Sequence, residues 1–174
     1  MNVLTFDLET RNNPAAPEIG WKNFPAMGIS LACAYLSGPD EYRIYGEENI
    51  SQLVADMAGV DLITGYNILQ FDFPLLRATC ERCGVTIAPG EWEAILAKTY
   101  DILDDIRQAL GTPFAKGWTL DNVASSTLTI RKNGDGAMAP ALWASGQIGK
   151  LATYDGRKIP CIFTSGKVDY FHAY

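Results

Sequence analysis

The chain has 174 residues, room for one domain with a substantial core and short of two comfortable ones, and 48% of it is hydrophobic, which excludes a disordered polypeptide. Its net charge of −6 argues against a broad basic surface, though not against a small basic groove. No apolar run approaches about 18 residues, so no membrane-spanning helix is expected. Met1 leads straight into a strand carrying two acids, not a signal peptide, so the expectation is a reduced, cytoplasmic protein.

Residues 3–10 read as a strand buried on both faces, because Val3, Leu4, Phe6 and Leu8 form a short apolar run with almost no alternation. The Asn- and Pro-rich stretch 11–17 reads as a loop. Residues 28–36 and 41–45 read as two antiparallel strands joined by a hairpin-type turn at 37–40. Residues 49–58 carry Ile50, Leu53, Val54 and Met57 at helical spacing, with Gly59 as the stop. A short apolar strand follows at 61–67. A helix then starts near residue 71, with Asp72 as its expected N-cap and Pro74 in its first turn. Residues 100–111 read as one helix, on the stripe Ile102, Leu103, Ile106, Ala109 and Leu110, stopped by Gly111. Asp101, Asp104 and Asp105 crowd its start, where the helix dipole favours negative charge. A further helix start is expected over 116–124 and a helix over 137–143. Asp155-Gly156 suits a tight turn, and Pro160 opposes a continuous helix beyond it.

The chemistry-bearing residues begin in the first strand. Asp7 and Glu9 are two apart, so on a strand both side chains share one face. Adjacent carboxylates repel, and a divalent cation with a preference for oxygen ligands, Mg²⁺ or Mn²⁺, relieves that repulsion. The plainer alternative is two acids at the exposed end of a strand. Asp72 has the same two readings, helix cap or site residue. A βαβ-like unit would bring the end of the 61–67 strand beside the first strand, and Asp72 would then face Asp7 and Glu9. Arg131 and Lys132 sit in a loop that suits either a phosphate contact or a solvated turn. Of Cys33, Cys80, Cys83 and Cys161, only Cys80 and Cys83 are close in sequence. A lone C-x-x-C reads as two thiols on one helix face rather than as a zinc site.

Phe6-Asp7-Leu8-Glu9-Thr10 resembles the first motif of the DEDD 3′–5′ exonucleases, a group with the RNase H-like fold. Gly65-Tyr66-Asn67 followed by Phe71-Asp72-Phe73-Pro74 resembles the second motif, in the form found in the proofreading domains of B-family polymerases. The segments around 100–111, 119–124 and 132–143 are similar to the stretches that follow it, so the resemblance runs from Val3 to about Tyr154. It implies an α/β fold with a mixed central sheet and helices on both faces, spanning 1–174 as a single domain. It further implies a metal-dependent 3′–5′ exonuclease acting on single-stranded DNA or RNA 3′ ends by a two-metal mechanism. The implied metal ligands for Mg²⁺ or Mn²⁺ are Asp7, bridging two ions, Glu9 on the nucleophile side, and Asp72 on the second ion. Tyr154 is the implied water-orienting group, and Thr10, Asn67, Phe71 and Lys132 are the implied substrate contacts. A replication or repair partner is compatible with such a domain.

The third motif departs from the pattern. The tyrosine subtype places an Asp four residues after the Tyr, on the same helix face. Here Lys158 stands four residues after Tyr154, and Asp155 is adjacent to it. An ammonium there opposes a second cation by like-charge repulsion. Asp155 could serve on a non-helical tail; Asp101, Asp104 or Asp105 could substitute; or the site holds one metal or none. The alternative function is therefore an exonuclease-fold nucleic-acid-binding module in which Lys158 replaces the fourth carboxylate.

Overall fold

The computed structural model describes residues 1–113, 116–130 and 136–147. Its centre is a five-stranded mixed sheet in the order β3-β2-β1-β4-β5. β1 (Val3–Thr10) is the middle strand. It runs antiparallel to β2 (Ile29–Leu36) and parallel to β4 (Leu62–Gly65). β3 (Glu41–Tyr45) extends the antiparallel side, and β5 (Thr99–Asp101) extends the parallel side. The expected α/β class and mixed sheet are thus observed.

Register divides the two faces. Leu4, Phe6 and Leu8 pair with Leu36, Ala34 and Ala32, and all six belong to the main core. Helices α1 (Phe24–Met27), α2 (Ile50–Ala58), α3 (Asp72–Arg82) and α4 (Glu91–Ala97) contribute Met27, Leu53, Leu76 and Ile95 to the same core. Thr5, Asp7 and Glu9 pair with Tyr35, Cys33 and Leu31 on the opposite face. There Leu31 packs with Ala139 of a short helix spanning Ala139–Ala144, joined by Ile44, Leu142 and Trp143. Helices therefore cover both faces. In chain order, α5 (Ile102–Leu110) and α6 (Leu120–Leu128) precede that last helix, which is α7. Among the described residues no helix is long and apolar enough to cross a membrane.

Three local expectations need correction. Residues 100–111 are not one helix: Thr99–Asp101 is the edge strand β5, and the helix begins at Ile102. Pairing of Thr64 with Tyr100 and Gly65 with Asp101 overrides the helical stripe at its N-terminal end. Asp72 is not a cap: Phe71 holds the N-cap position without a side-chain cap bond, and Asp72 is the first helical residue. Cys80 is buried inside α3, whereas Cys83 is exposed at its C-cap, so the two thiols do not share one environment. Burial pushes the Cys80 thiol up to about 11, which leaves it a protonated core residue at neutral pH.

Candidate active site

Asp7 and Glu9 project from the same face of the central strand, as their spacing predicts. Asp7 is exposed and Glu9 half-buried. The strand is irregular where it carries Glu9. Glu9 pairs with Leu31, but Thr10 pairs with Ile29, leaving Ser30 as the extra residue of a bulge. The Ser30 hydroxyl donates to the carbonyls of Glu9 and Thr10, at 3.1 Å in each case. A bulge bends a strand and re-aims its side chains; here it ends the ladder at the acid-bearing edge. Thr10 is buried at this point, 7% exposed. The segment leading into α7 approaches from the same side, since a Cβ on Gly136 would lie 3.7 Å from Glu9 Oε2.

Asp72 arrives from the first turn of α3 and is 3% exposed. Its Oδ1 accepts the backbone N–H of Leu8 at 3.0 Å, across 64 residues of sequence. Leu8 lies between Asp7 and Glu9, so this bond ties the helix to the acid-bearing stretch of β1. Burial pushes the Asp72 carboxyl well above its ordinary value of 3.8. The negative charges of Asp7 and Glu9 push it up further, while the N–H groups of Leu8 and of Asp72 itself pull part of the way back. Three carboxylates from two distant segments thus act on one another.

The turn that delivers Asp72 is built by another acid. Asp101 is 4% exposed. It accepts N–H groups from Asn67 (2.8 Å) and Leu69 (2.9 Å) on the turn, and from Leu103 (2.9 Å) and Asp104 at the start of α5. Asn67 adopts a left-handed backbone at φ 64°, a conformation Asn tolerates better than most residues. Its side-chain oxygen accepts from Arg107 Nη2 at 3.3 Å. Asp101 is therefore occupied as a buried staple between the turn at 67–69 and the first turn of α5. Asp104 accepts from Gln108, and Asp105 accepts from Tyr100.

Asp7, Glu9 and Asp72 are brought into mutual electrostatic range; Phe71 precedes Asp72 at the N-cap of α3, and its ring packs with Trp21 and Phe24. Asn67 lies in the preceding turn. Lys132, Tyr154, Asp155 and Lys158 fall outside the described residues. Sequence reasoning missed Ser30, Gly136 and the double duty of Asp101. Asp101 had a usable signal, an Asp followed three residues later by an acid at the start of a helical stripe, which marks an N-cap.

Neither a family model nor a curated protein matches the chain. Solved structures do. The fold is exonuclease-like. The family B DNA polymerase of the hyperthermophilic archaeon Pyrobaculum calidifontis superposes with a TM-score of 0.66 at 17% identity, over 87% of this chain and 22% of the polymerase. E. coli exonuclease I in complex with a dA16 oligonucleotide gives 0.53 at 14% identity, over 87% and 40%. An exonuclease I complex with SSB-Ct gives 0.52 at 14% identity, over 86% and 42%. The chain therefore spans less than half the length of each of these proteins.

The chemistry of the donors, though not a closed geometry, is that of a hard divalent cation's ligands. All three groups are carboxylates, one of them buried at the expense of its own ionisation. Among the described residues no three His, Cys, Asp or Glu side chains are placed to hold a metal ion together. The arrangement is an open oxygen-rich edge.

Proposed function

We propose that the protein is a metal-dependent 3′–5′ exonuclease that hydrolyses phosphodiester bonds at single-stranded DNA or RNA ends. The observation that carries this reading is the bond from Leu8 N–H to Asp72 Oδ1. It joins the two motif segments and sets a buried carboxylate against Asp7 and Glu9. A core residue serving stability alone gains nothing from a like-charged neighbourhood. The exonuclease-like fold and the oligonucleotide complex of exonuclease I support the choice of substrate.

In this reading Asp7, Glu9 and Asp72 hold Mg²⁺ or Mn²⁺, which when bound activates water and stabilises the leaving 3′-oxygen. The residues of the chain supply position. Asp72 is fixed by the Leu8 N–H, Glu9 by the bulged strand end, and Asn67 with Phe71 presents the turn toward the substrate. Tyr154 orients the attacking water.

The sequence of the third motif favours one second reading, a nucleic-acid-binding module whose site is closed by Lys158, where the resemblance implies an acid. Digestion of 5′-labelled single-stranded DNA and RNA with Mg²⁺ or Mn²⁺, beside Asp7→Ala and Lys158→Asp, separates the two. A ladder from the 3′ end that disappears in Asp7→Ala is the outcome expected of an exonuclease. Cleavage by Lys158→Asp alone would mean that the fold binds and no longer cuts, and activity surviving Asp7→Ala would overturn the site.

A further inference from the structure

The connection between β1 and β2 leaves the sheet directly after Glu9 and Thr10. Its base is closed by backbone bonds from Arg11 N–H to Gly28 (3.0 Å) and from Asn12 N–H to Met27 (2.9 Å). The Asn12 side chain adds a bond to the Ala26 carbonyl at 2.7 Å. The loop is thus tethered at the acid-bearing edge. It carries Trp21, which is 62% exposed. The indole rests against Phe71 at 6.3 Å between centroids with the planes tilted by 55°, and Phe24 packs on the same phenyl ring at 6.0 Å. Phe71 immediately precedes Asp72. An aromatic cluster therefore joins Phe71, the residue before Asp72, to an indole whose remaining surface is in water.

Leaving that much aromatic surface wet forfeits the stabilisation that burial gives. The neighbour of Trp21 is a cation. Arg11, Arg43, Arg77 and Arg82 are each committed to a carboxylate. Lys22 is exposed and has no carboxylate partner among the described residues. A cation left open beside an open indole suits a ligand that joins flat rings to negative charge.

We infer that Trp21 is a stacking platform for an unpaired base of single-stranded nucleic acid, with Lys22 contacting an adjacent phosphate. The ligand class rests on the phosphodiester reading of the carboxylate site; the platform itself uses neither the metal nor cleavage. Every base has a π-face, so the contact tolerates sequence while requiring that the base be unstacked from a duplex.

The test is anisotropy of a short 5′-labelled oligo(dT), with an abasic oligonucleotide of equal length as control, in EDTA so that nothing is cut. Trp21→Ala should raise Kd for oligo(dT) about tenfold, within the range for one stacked base, and leave the abasic control unchanged. Trp21→Phe, which keeps a ring against Phe71, should retain most of the affinity and guards against a folding defect in the alanine variant. Lys22→Gln should reduce the slope of log K against log salt by about 0.7. Unchanged affinity in Trp21→Ala, an equal loss on the abasic control, or no binding of oligo(dT) by the natural protein would each overturn the inference. Digestion with Mg²⁺ or Mn²⁺ is scored separately. Trp21-dependent binding without cleavage keeps the platform and overturns the catalytic reading, and cleavage with Trp21-independent binding does the reverse.

Discussion

Asp72 can be tested through stability as well as through activity, because its charge and its hydrogen bond pull in opposite directions. Its Oδ1 holds the buried Leu8 N–H, and leaving such a donor unpaired costs about 1–3 kcal/mol. Its negative charge is penalised by burial and by Asp7 and Glu9. Asp72→Asn keeps an oxygen acceptor and removes the charge, while Asp72→Ala removes both. In EDTA at neutral pH the asparagine variant should therefore be at least as stable as the natural protein. The alanine variant should fall below the asparagine variant by about 1–3 kcal/mol, or about 2–12 °C in Tm for a domain of this size. The pH dependence has a definite sign. The folded-state pKa is raised, so the folded protein binds the proton more tightly than the unfolded chain. The charge penalty is absent below the ordinary value of 3.8 and grows as pH rises through the elevated folded value. The advantage of Asp72→Asn should then shrink as the solution is acidified. Mg²⁺ or Mn²⁺ at a hundredfold excess over Kd should stabilise the natural protein by about 2.7 kcal/mol and Asp72→Asn far less. Differential scanning calorimetry with and without metal reads all of this. An asparagine variant as unstable as the alanine one would refute the charge argument, and an undiminished metal shift would remove Asp72 from the ligand set.

Asp101→Ala should lower Tm by about 6–12 °C, because four N–H groups of the 67–69 turn and the first turn of α5 lose their acceptor at a site that is 4% exposed; a drop within experimental error in thermal melts would show that the staple carries no weight. Glu47 is mostly buried and accepts from Ile29 N–H (2.9 Å), with Arg11 (2.6 Å) and Arg82 on its two oxygens. Burial pushes its carboxyl up, but Arg82, the Ile29 N–H and Arg11 together hold it below 4.5. That stability is present above 4.5 and lost as pH falls through the lowered folded value. Glu47→Gln should cost about 1.5–3 kcal/mol in urea titrations at pH 7, with the difference from the natural protein narrowing in acid. Gly65→Ala should destabilise by about 1–3 kcal/mol, since its Cβ would stand 2.5 Å from Ile68 Cγ2 and 3.0 Å from the Phe6 carbonyl; chemical denaturation showing no loss would mean that β4 can shift away from β1.

The face assignment of Asp7 and Glu9 was legible because strand parity is a local rule, and the neighbouring Leu4, Phe6 and Leu8 had to point to a core. The approach of Asp72 to β1 was legible only in outline. A βαβ crossover placed it at the right edge, but nothing local distinguishes a carboxylate that caps its own helix from one that accepts an N–H 64 residues away. The β5 strand was illegible for a related reason. Three residues cannot establish a period, and Tyr100 and Asp101 continue without a break into a strong helical stripe. Their strand state comes from pairing with β4. Ser30 escaped notice because a bulge is set by the partner strand: Ser30 lies within a run of apolar residues, and only the register against Glu9 and Thr10 reveals it as the extra residue.

Charge accounting ties these features to the choice between enzyme and binding module. Asp7, Glu9 and Asp72 raise one another's energy when ionised, and the arginines of the sheet and of α3 are already spent on Glu41, Glu47, Asp56 and Glu81. Positive charge for the site can come from sources of two kinds, a divalent cation from solution or a basic side chain of the chain itself, for which the resemblance singles out Lys158. The two leave different signatures. A dissociable ion makes stability depend on metal concentration, rising by RT ln(1 + [L]/Kd). A lysine contributes a fixed term that chelator cannot remove. Lys158→Asp exchanges the second source for a further carboxylate. If the natural protein relies on Lys158, its melting temperature should be unmoved by EDTA, and Lys158→Asp should melt lower in EDTA and recover with Mg²⁺ or Mn²⁺. If it relies on metal, EDTA should already lower the melting temperature of the natural protein. A natural protein insensitive to EDTA together with a Lys158→Asp variant that gains nothing from metal would show that Lys158 lies apart from these carboxylates.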